Sequence, residues 1–136
     1  MSGKANLGEL LREIDPILHK GEYVFVSVDS GHTIDISDVL GTFKEEEGTT
    51  LILRKEKADE LDLEYGYIAS WISLGVHSAL EAVGLTATVS TTLAKNNISC
   101  NVVAAYYHDH IFIDKKDADK ALTILKKLAI HKAVKK

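Results

Sequence analysis

The chain has few of the residues that staple, kink or strongly charge a protein. Among 136 residues there is one cysteine, Cys100, one proline, Pro16, and one tryptophan, Trp71. A lone cysteine excludes an intrachain disulfide and fits a reducing compartment. No proline-rich or serine-rich stretch reads as a linker, so a rigid unit is expected. No basic face is evident: 16 Lys and Arg stand against 20 Asp and Glu, for a net charge of -4. The one basic cluster is the short end from Lys132 to Lys136, which argues against a nucleic-acid partner. No hydrophobic run is long enough to span a bilayer. The weakly apolar stretch from Tyr67 to Val89 is broken by His77, Glu81 and small polar residues. The start, Met1-Ser2-Gly3-Lys4, lacks the apolar region of a signal peptide, and the expectation is a cytoplasmic protein without membrane contact. There is no P-loop, no dinucleotide glycine fingerprint, no Gly-x-Ser-x-Gly and no Cys-x-x-Cys. That removes the easily recognised enzyme classes, and neither a cofactor nor a catalytic residue is assigned.

What remains is an ordinary globular composition, 46% hydrophobic and 26% charged. A chain this long buries roughly two-thirds of its unfolded surface, so its core needs no staples. Asn6 can cap a helix whose Leu7, Leu10, Leu11 and Ile14 fall at helical spacing, and Asp15-Pro16 should end it. Tyr23-Val24-Phe25-Val26-Ser27-Val28 reads as a covered, central strand, and Asp29-Ser30-Gly31-His32 as a turn. Residues 33–39 are ambiguous. Gly41-Thr42-Phe43-Lys44 and Thr49-Thr50-Leu51-Ile52-Leu53 flank an acidic turn, Glu45-Glu46-Glu47-Gly48, in a hairpin. A short helix is expected from Lys55 to Leu63, and a long strand from Tyr67 to Val76. A helix should begin at Gly84-Leu85-Thr86, carry Leu85, Val89 and Leu93 as its stripe, and stop at Asn96-Asn97. Ser99 to Asp114 reads as two strands folded back at His108-Asp109-His110. Asp114 can cap a last helix with Ala118, Ala121, Leu122, Leu125, Leu128 and Ala129 as its buried stripe. The two halves repeat one plan, a split βαβ in which helices cover one face of an antiparallel sheet.

Gly84-Leu85-Thr86-Ala87 opening a helix, Asn101-Val102-Val103-Ala104, Tyr107-His108-Asp109-His110-Ile111-Phe112-Ile113, and the helix from Ala118 to Leu125 resemble an ACT domain. Phe43 to Leu53 resembles the first half of a family of short bacterial proteins with two ACT-like units. The likeness runs from about Leu7 to Leu128. It implies an α+β fold of two tandem ferredoxin-like units, here 1–64 and 65–136, and a non-catalytic regulatory module that binds an amino acid. Family ligands lie against the loop between first strand and first helix, often at an interface between two units. That implies ligand contacts at Val83, Gly84, Leu85 and Thr86, with Asn101 and Val102 meeting an α-amino group. The physics agrees in part, because a glycine before a helix admits close approach and the first free amides attract a carboxylate. Glu47 and Gly48 of the acidic turn are the candidate partners for a ligand's ammonium. The resemblance also implies a homodimer, with regulatory output through a protein partner or through self-assembly; the alternative reading is a structural interaction module that self-associates or docks on a partner without a ligand.

Three further features have sharper readings. His108-Asp109-His110 can be read as a metal pair or an acid–base site, but a hairpin turn held by local hydrogen bonds is favoured, and no metal is assigned. Cys100 reads as a small core residue rather than a nucleophile. Core packing is the expectation for at least two of Trp71, Tyr106 and Tyr107.

Overall fold

The structure is a computed structural model and describes residues 14–77 and 84–134. The expected first helix, from Asn6 up to Asp15-Pro16, lies outside the described residues except at its end, and the stretch from Ser78 to Val83 lies outside them too. In chain order the elements are β1 (Ile17–Leu18), β2 (Tyr23–Val28), β3 (Gly41–Lys44), β4 (Thr49–Arg54), α1 (Lys55–Glu60), β5 (Ala69–His77), α2 (Leu85–Lys95), β6 (Cys100–Ala104), β7 (His108–Asp114) and α3 (Ala118–Val134). They form two compact units, one made of residues 20–69, the other of the chain from residue 70 onward together with the segment ending at His19. The second half of the chain thus recruits residues 14–19 from the first.

In the 20–69 unit the strands run in the order β3-β4-β2, all antiparallel. The period of two sorts β2 cleanly. Val24, Val26 and Val28 are buried with Leu51 and Leu53 of β4 and Ala58 of α1. The register Val24↔Leu53 and Val26↔Leu51 sets these side chains opposite each other. The acidic hairpin turn forms as expected, with the Glu45 N–H donating to the Gly48 carbonyl at 2.9 Å. Gly48 has φ of 153°, and a Cβ there would meet the Val28 carbonyl at 2.6 Å, so no other residue fits. The ambiguous 33–39 stretch contains a 3₁₀ turn at Ile36–Asp38, capped by the Asp35 carboxylate accepting from the Ser37 N–H at 3.0 Å.

In the other unit the strand order is β1-β5-β7-β6, with α2 and α3 on one face. This is a ferredoxin-like sheet in which β1 fills the place beside β5, paired through Ile17↔Ser73 and Leu18↔Ile72. The core joins Ile14, Ile72, Leu74, Ile111 and Ile113 to Val89 and Leu93 of α2 and Ala121 and Leu125 of α3. Threonine-rich α2 has low intrinsic propensity, so its two buried apolar positions hold it in place. Its Ser90 and Thr92 hydroxyls donate back to the Thr86 and Thr88 carbonyls at 2.8 and 2.7 Å. Asn97, at φ 62°, ends the helix, and Ile98 then donates to the Leu93 carbonyl at 3.0 Å. Asp114 caps a 3₁₀ turn, Lys115–Asp117, that leads into α3.

Two expectations are corrected in the β6–β7 hairpin. The turn is made by residues 105–107, closed by the Ala105 N–H donating to the His108 carbonyl at 3.0 Å. His108-Asp109-His110 therefore opens β7, with Val103↔His110 and Ala104↔Asp109 in the ladder. Tyr106 and Tyr107 occupy the turn and are 81% and 66% exposed, so neither packs in the core. Their rings rest edge to face, 4.9 Å apart, which shields part of each without burying it.

Candidate functional site

Strand β7 places two different chemistries on its two faces. Ile111 and Ile113 point to the helices, and by alternation Asp109 points the same way. His108, His110 and Phe112 point to the open face.

On the helix face Asp109 is 3% exposed, and among the described residues its Oδ1 has no hydrogen-bond partner. A buried carboxylate oxygen without a donor is costly, about 1–3 kcal/mol or more. The topology sets it at one end of the sheet. Ser73 meets His110 while Trp71 meets Phe112, so β5 and β7 run in opposite directions. The end of β5 and the start of β7 thus coincide, and α2 starts from that end and runs back. Ser90 lies beside Cys100, which fixes the level of the helix against β6. From that level the first turn of α2 and the Ala104–Asp109 pair both lie toward the same end, by roughly 6–9 Å along the helix and about 13 Å along the strand. Gly84 is the N-cap of α2, at φ 97°, and no side chain among the described residues caps the helix. Uncapped first-turn amides and the positive end of the helix dipole suit an anion.

The predicted residues distribute as follows. Val83 lies outside the described residues. Gly84, Leu85 and Thr86 form the start of α2, on the Asp109 side. Val102 faces the helices opposite Ile111, but Asn101 pairs with Phe112 and shares its open face. The structure therefore places the Asn101 side chain on the face away from the start of α2. The period of two turns its amide away from α2, and Asn101 lies near the end of β6 that follows the C-terminus of α2. Glu47 and Gly48 lie in the β3–β4 turn of the 20–69 unit, Glu47 exposed and Gly48 buried. The burial of Asp109 was missed. The signal was present, since Asp109, Ile111 and Ile113 alternate on one face and make the carboxylate an outlier in a buried row.

The open face carries a connected cluster. The Trp71 indole N–H donates to His110 Nδ1 at 3.0 Å, and Ser73 Oγ lies 2.9 Å from the same nitrogen. Ser73 Oγ is also 2.7 Å from His19 Nε2. His19 stacks on Trp71 with ring centroids 3.5 Å apart, and Phe112 stacks on Trp71 at 6.4 Å. Burial lowers the pKa of both His19 and His110, and neighbouring His108 and His19 lower that of His110 further. Among the described residues no three His, Cys, Asp or Glu are placed to hold a metal ion. Cys100 packs against the core, and its burial raises the thiol pKa while the Ser90 hydroxyl acts the other way. A protonated, packed thiol is a poor nucleophile, in line with the core reading. No helix among the described residues is long and apolar enough to cross a membrane.

Comparison with known proteins adds the family. One ACT domain family model matches residues 2–70 and a second matches residues 67–127. A solved protein of unknown function from Vibrio cholerae, described as a possible transport protein, is 45% identical over 94% of this chain and 99% of its own, with a TM-score of 0.79. A protein from Agrobacterium tumefaciens is 16% identical over 86% of this chain and 90% of its own, with a TM-score of 0.69. The ligand-free regulatory subunit of aspartate kinase from Thermus thermophilus is 9% identical, covers 85% of this chain and 97% of its own, and has a TM-score of 0.62. The last two likenesses are of fold alone. No curated protein matches the chain. The chain belongs to the ACT domain family and carries two such domains in tandem.

Proposed function

We propose that this protein is a non-catalytic regulatory module that binds a free α-amino acid at the end of the β5–β7 unit where α2 begins. The ligand carboxylate would lie on the first-turn amides at Gly84, Leu85 and Thr86. Its ammonium would pair with Asp109. The observation that carries this reading is the buried Asp109 Oδ1 without a donor, since a bound ammonium would supply the missing partner. Glu47 and Gly48 stay a separate proposed contact for a basic group. A free thiol at Cys100 accords with a cytoplasmic setting. The test is a thermal-shift screen of the free amino acids, repeated with the matching α-keto acids, which keep the carboxylate and lose the ammonium. The reading expects at least one amino acid to raise the melting temperature and its keto acid to fail. No response to any amino acid refutes it.

A second reading, self-association without a ligand, rests on β6. This strand ends the β1-β5-β7-β6 order, and residues 100–107 carry no acidic or basic side chain. Val102 and Val103 are partly exposed along it. An uncharged edge strand is open to pairing with a second copy. Val103→Lys should then convert a dimer to monomer in light scattering, and an unchanged mass would remove β6 as the interface.

A further inference from the structure

The open-face cluster has a hydrogen-bond logic that amino-acid binding does not use. An indole N–H donates and cannot accept, so the 3.0 Å contact from Trp71 requires His110 Nδ1 to be unprotonated. One proton arrangement satisfies all three short contacts. His19 Nε2–H donates to Ser73 Oγ at 2.7 Å, the Ser73 hydroxyl donates to His110 Nδ1 at 2.9 Å, and Trp71 donates to the same nitrogen. His110 then carries its single proton on Nε2. Protonating His19 leaves this arrangement intact, because the proton it gains lies on Nδ1. Protonating His110 sets an N–H on Nδ1 directly against the Trp71 N–H, which can only donate, whereas the Ser73 hydroxyl can turn and accept the new proton. The two imidazoles are not equivalent, although one serine bridges them.

We propose that His110 is a proton-responsive latch on the open face of this sheet: neutral, it holds the Trp71 indole of β5 against β7, and protonated at Nδ1 it releases the indole. The groups around it favour the neutral state. β5 contributes Trp71 and Ser73, both uncharged. β6 sets Val103 opposite, with Asn101 farther along the same face. The segment after β1 contributes His19, and β7 itself contributes His108, whose ring is 6.4 Å away, and Asp109 on the reverse face. Of these, His19 and His108 repel a proton on His110, and Asp109 attracts one more weakly.

Trp71 is the sole tryptophan, so the latch has a built-in optical reporter. The first measurement is made on the unmodified protein by long-range ¹H–¹⁵N NMR. His110 is expected as the Nε2–H tautomer, titrating below the ordinary 6.5. An Nδ1–H tautomer, or a midpoint at or above 6.5, overturns the proposal. The second follows Trp71 emission from about pH 8 to about pH 5, the range in which histidine switches charge. It is made in His19→Gln, which keeps a donor to Ser73 and removes the stacked imidazole as a quencher. A reversible red shift with unchanged far-UV circular dichroism is expected. Adding His110→Asn, whose carbonyl can accept from Trp71 but does not titrate, should abolish the shift. A shift that survives His110→Asn, an absent shift in His19→Gln, or a shift that tracks loss of the dichroism each overturns the latch. If the double variant does not fold, the NMR result on the unmodified protein decides.

Discussion

Asp109→Asn should stabilise the ligand-free protein and silence its response to ligand. The substitution keeps the shape of the side chain and removes its charge. In the folded protein the carboxylate is 3% exposed and Oδ1 accepts no hydrogen bond. An unsatisfied buried polar group costs about 1–3 kcal/mol, and a charged one more. Asn leaves a polar carbonyl in the same place, so the gain should fall near the lower end, about 1 kcal/mol. In a chain of this length that raises the melting temperature by roughly 3–5 °C. The opposite is expected with ligand present. Ligand at a hundred times its dissociation constant stabilises the unmodified protein by about 2.7 kcal/mol. In Asp109→Asn the ammonium loses its charged partner, and most of that shift should vanish. Differential scanning fluorimetry of both proteins, with and without the best amino acid from the screen, reads all four values. A variant that melts lower without ligand would mean that the carboxylate supports the fold. A variant that responds like the parent would mean that the ammonium is bound elsewhere, while the amino-acid reading itself would stand.

Leu93→Ala removes a fully buried side chain between α2 and the sheet, and should cost about 2–5 kcal/mol in urea unfolding. A loss below 1 kcal/mol would show that α2 closes over the gap. The pH dependence has a definite sign. His19 and His110 have lowered pKa values in the folded protein, so the unfolded chain takes up their protons first as acid is added. Their contribution to stability is complete above the ordinary value of 6.5 and is lost as the pH falls through the folded values. The urea midpoint should therefore drop between neutral and mildly acidic pH, and drop less in His19→Gln/His110→Asn. An equal drop in both proteins would place the sensitivity elsewhere. Cys100, half-buried with its thiol pKa raised, should react with a thiol reagent at neutral pH far more slowly in the native protein than in urea. Equal rates would refute the packed-thiol reading.

The sequence made the strands and helices legible wherever one period dominated. Val24, Val26 and Val28 announced the buried face of β2, and Asn96-Asn97 announced the end of α2. Residues 33–39 stayed ambiguous because a 3₁₀ turn has no period to show and its Ile36 is exposed. The tandem plan was readable too, but not the exchange by which residues 17–18 fill the strand place beside β5, since a two-residue strand leaves almost no pattern. The hairpin was misread for a more instructive reason. Three polar residues between two apolar runs look like a turn, whereas Tyr106 and Tyr107 look like core. The chain reverses both roles. A strand can absorb polar residues on either face if each finds a use on its own side. His110 finds Trp71 and Ser73 on the open face. Asp109 finds nothing on the helix face. Local pattern cannot distinguish a polar residue that is satisfied from one that waits for a partner. Only the packed structure draws that distinction, and here it separates two adjacent residues. His110, the proposed latch, and Asp109, the proposed partner of the ligand ammonium, are one peptide bond apart, so any shift in the first residues of β7 that His110 permits is also a shift of Asp109.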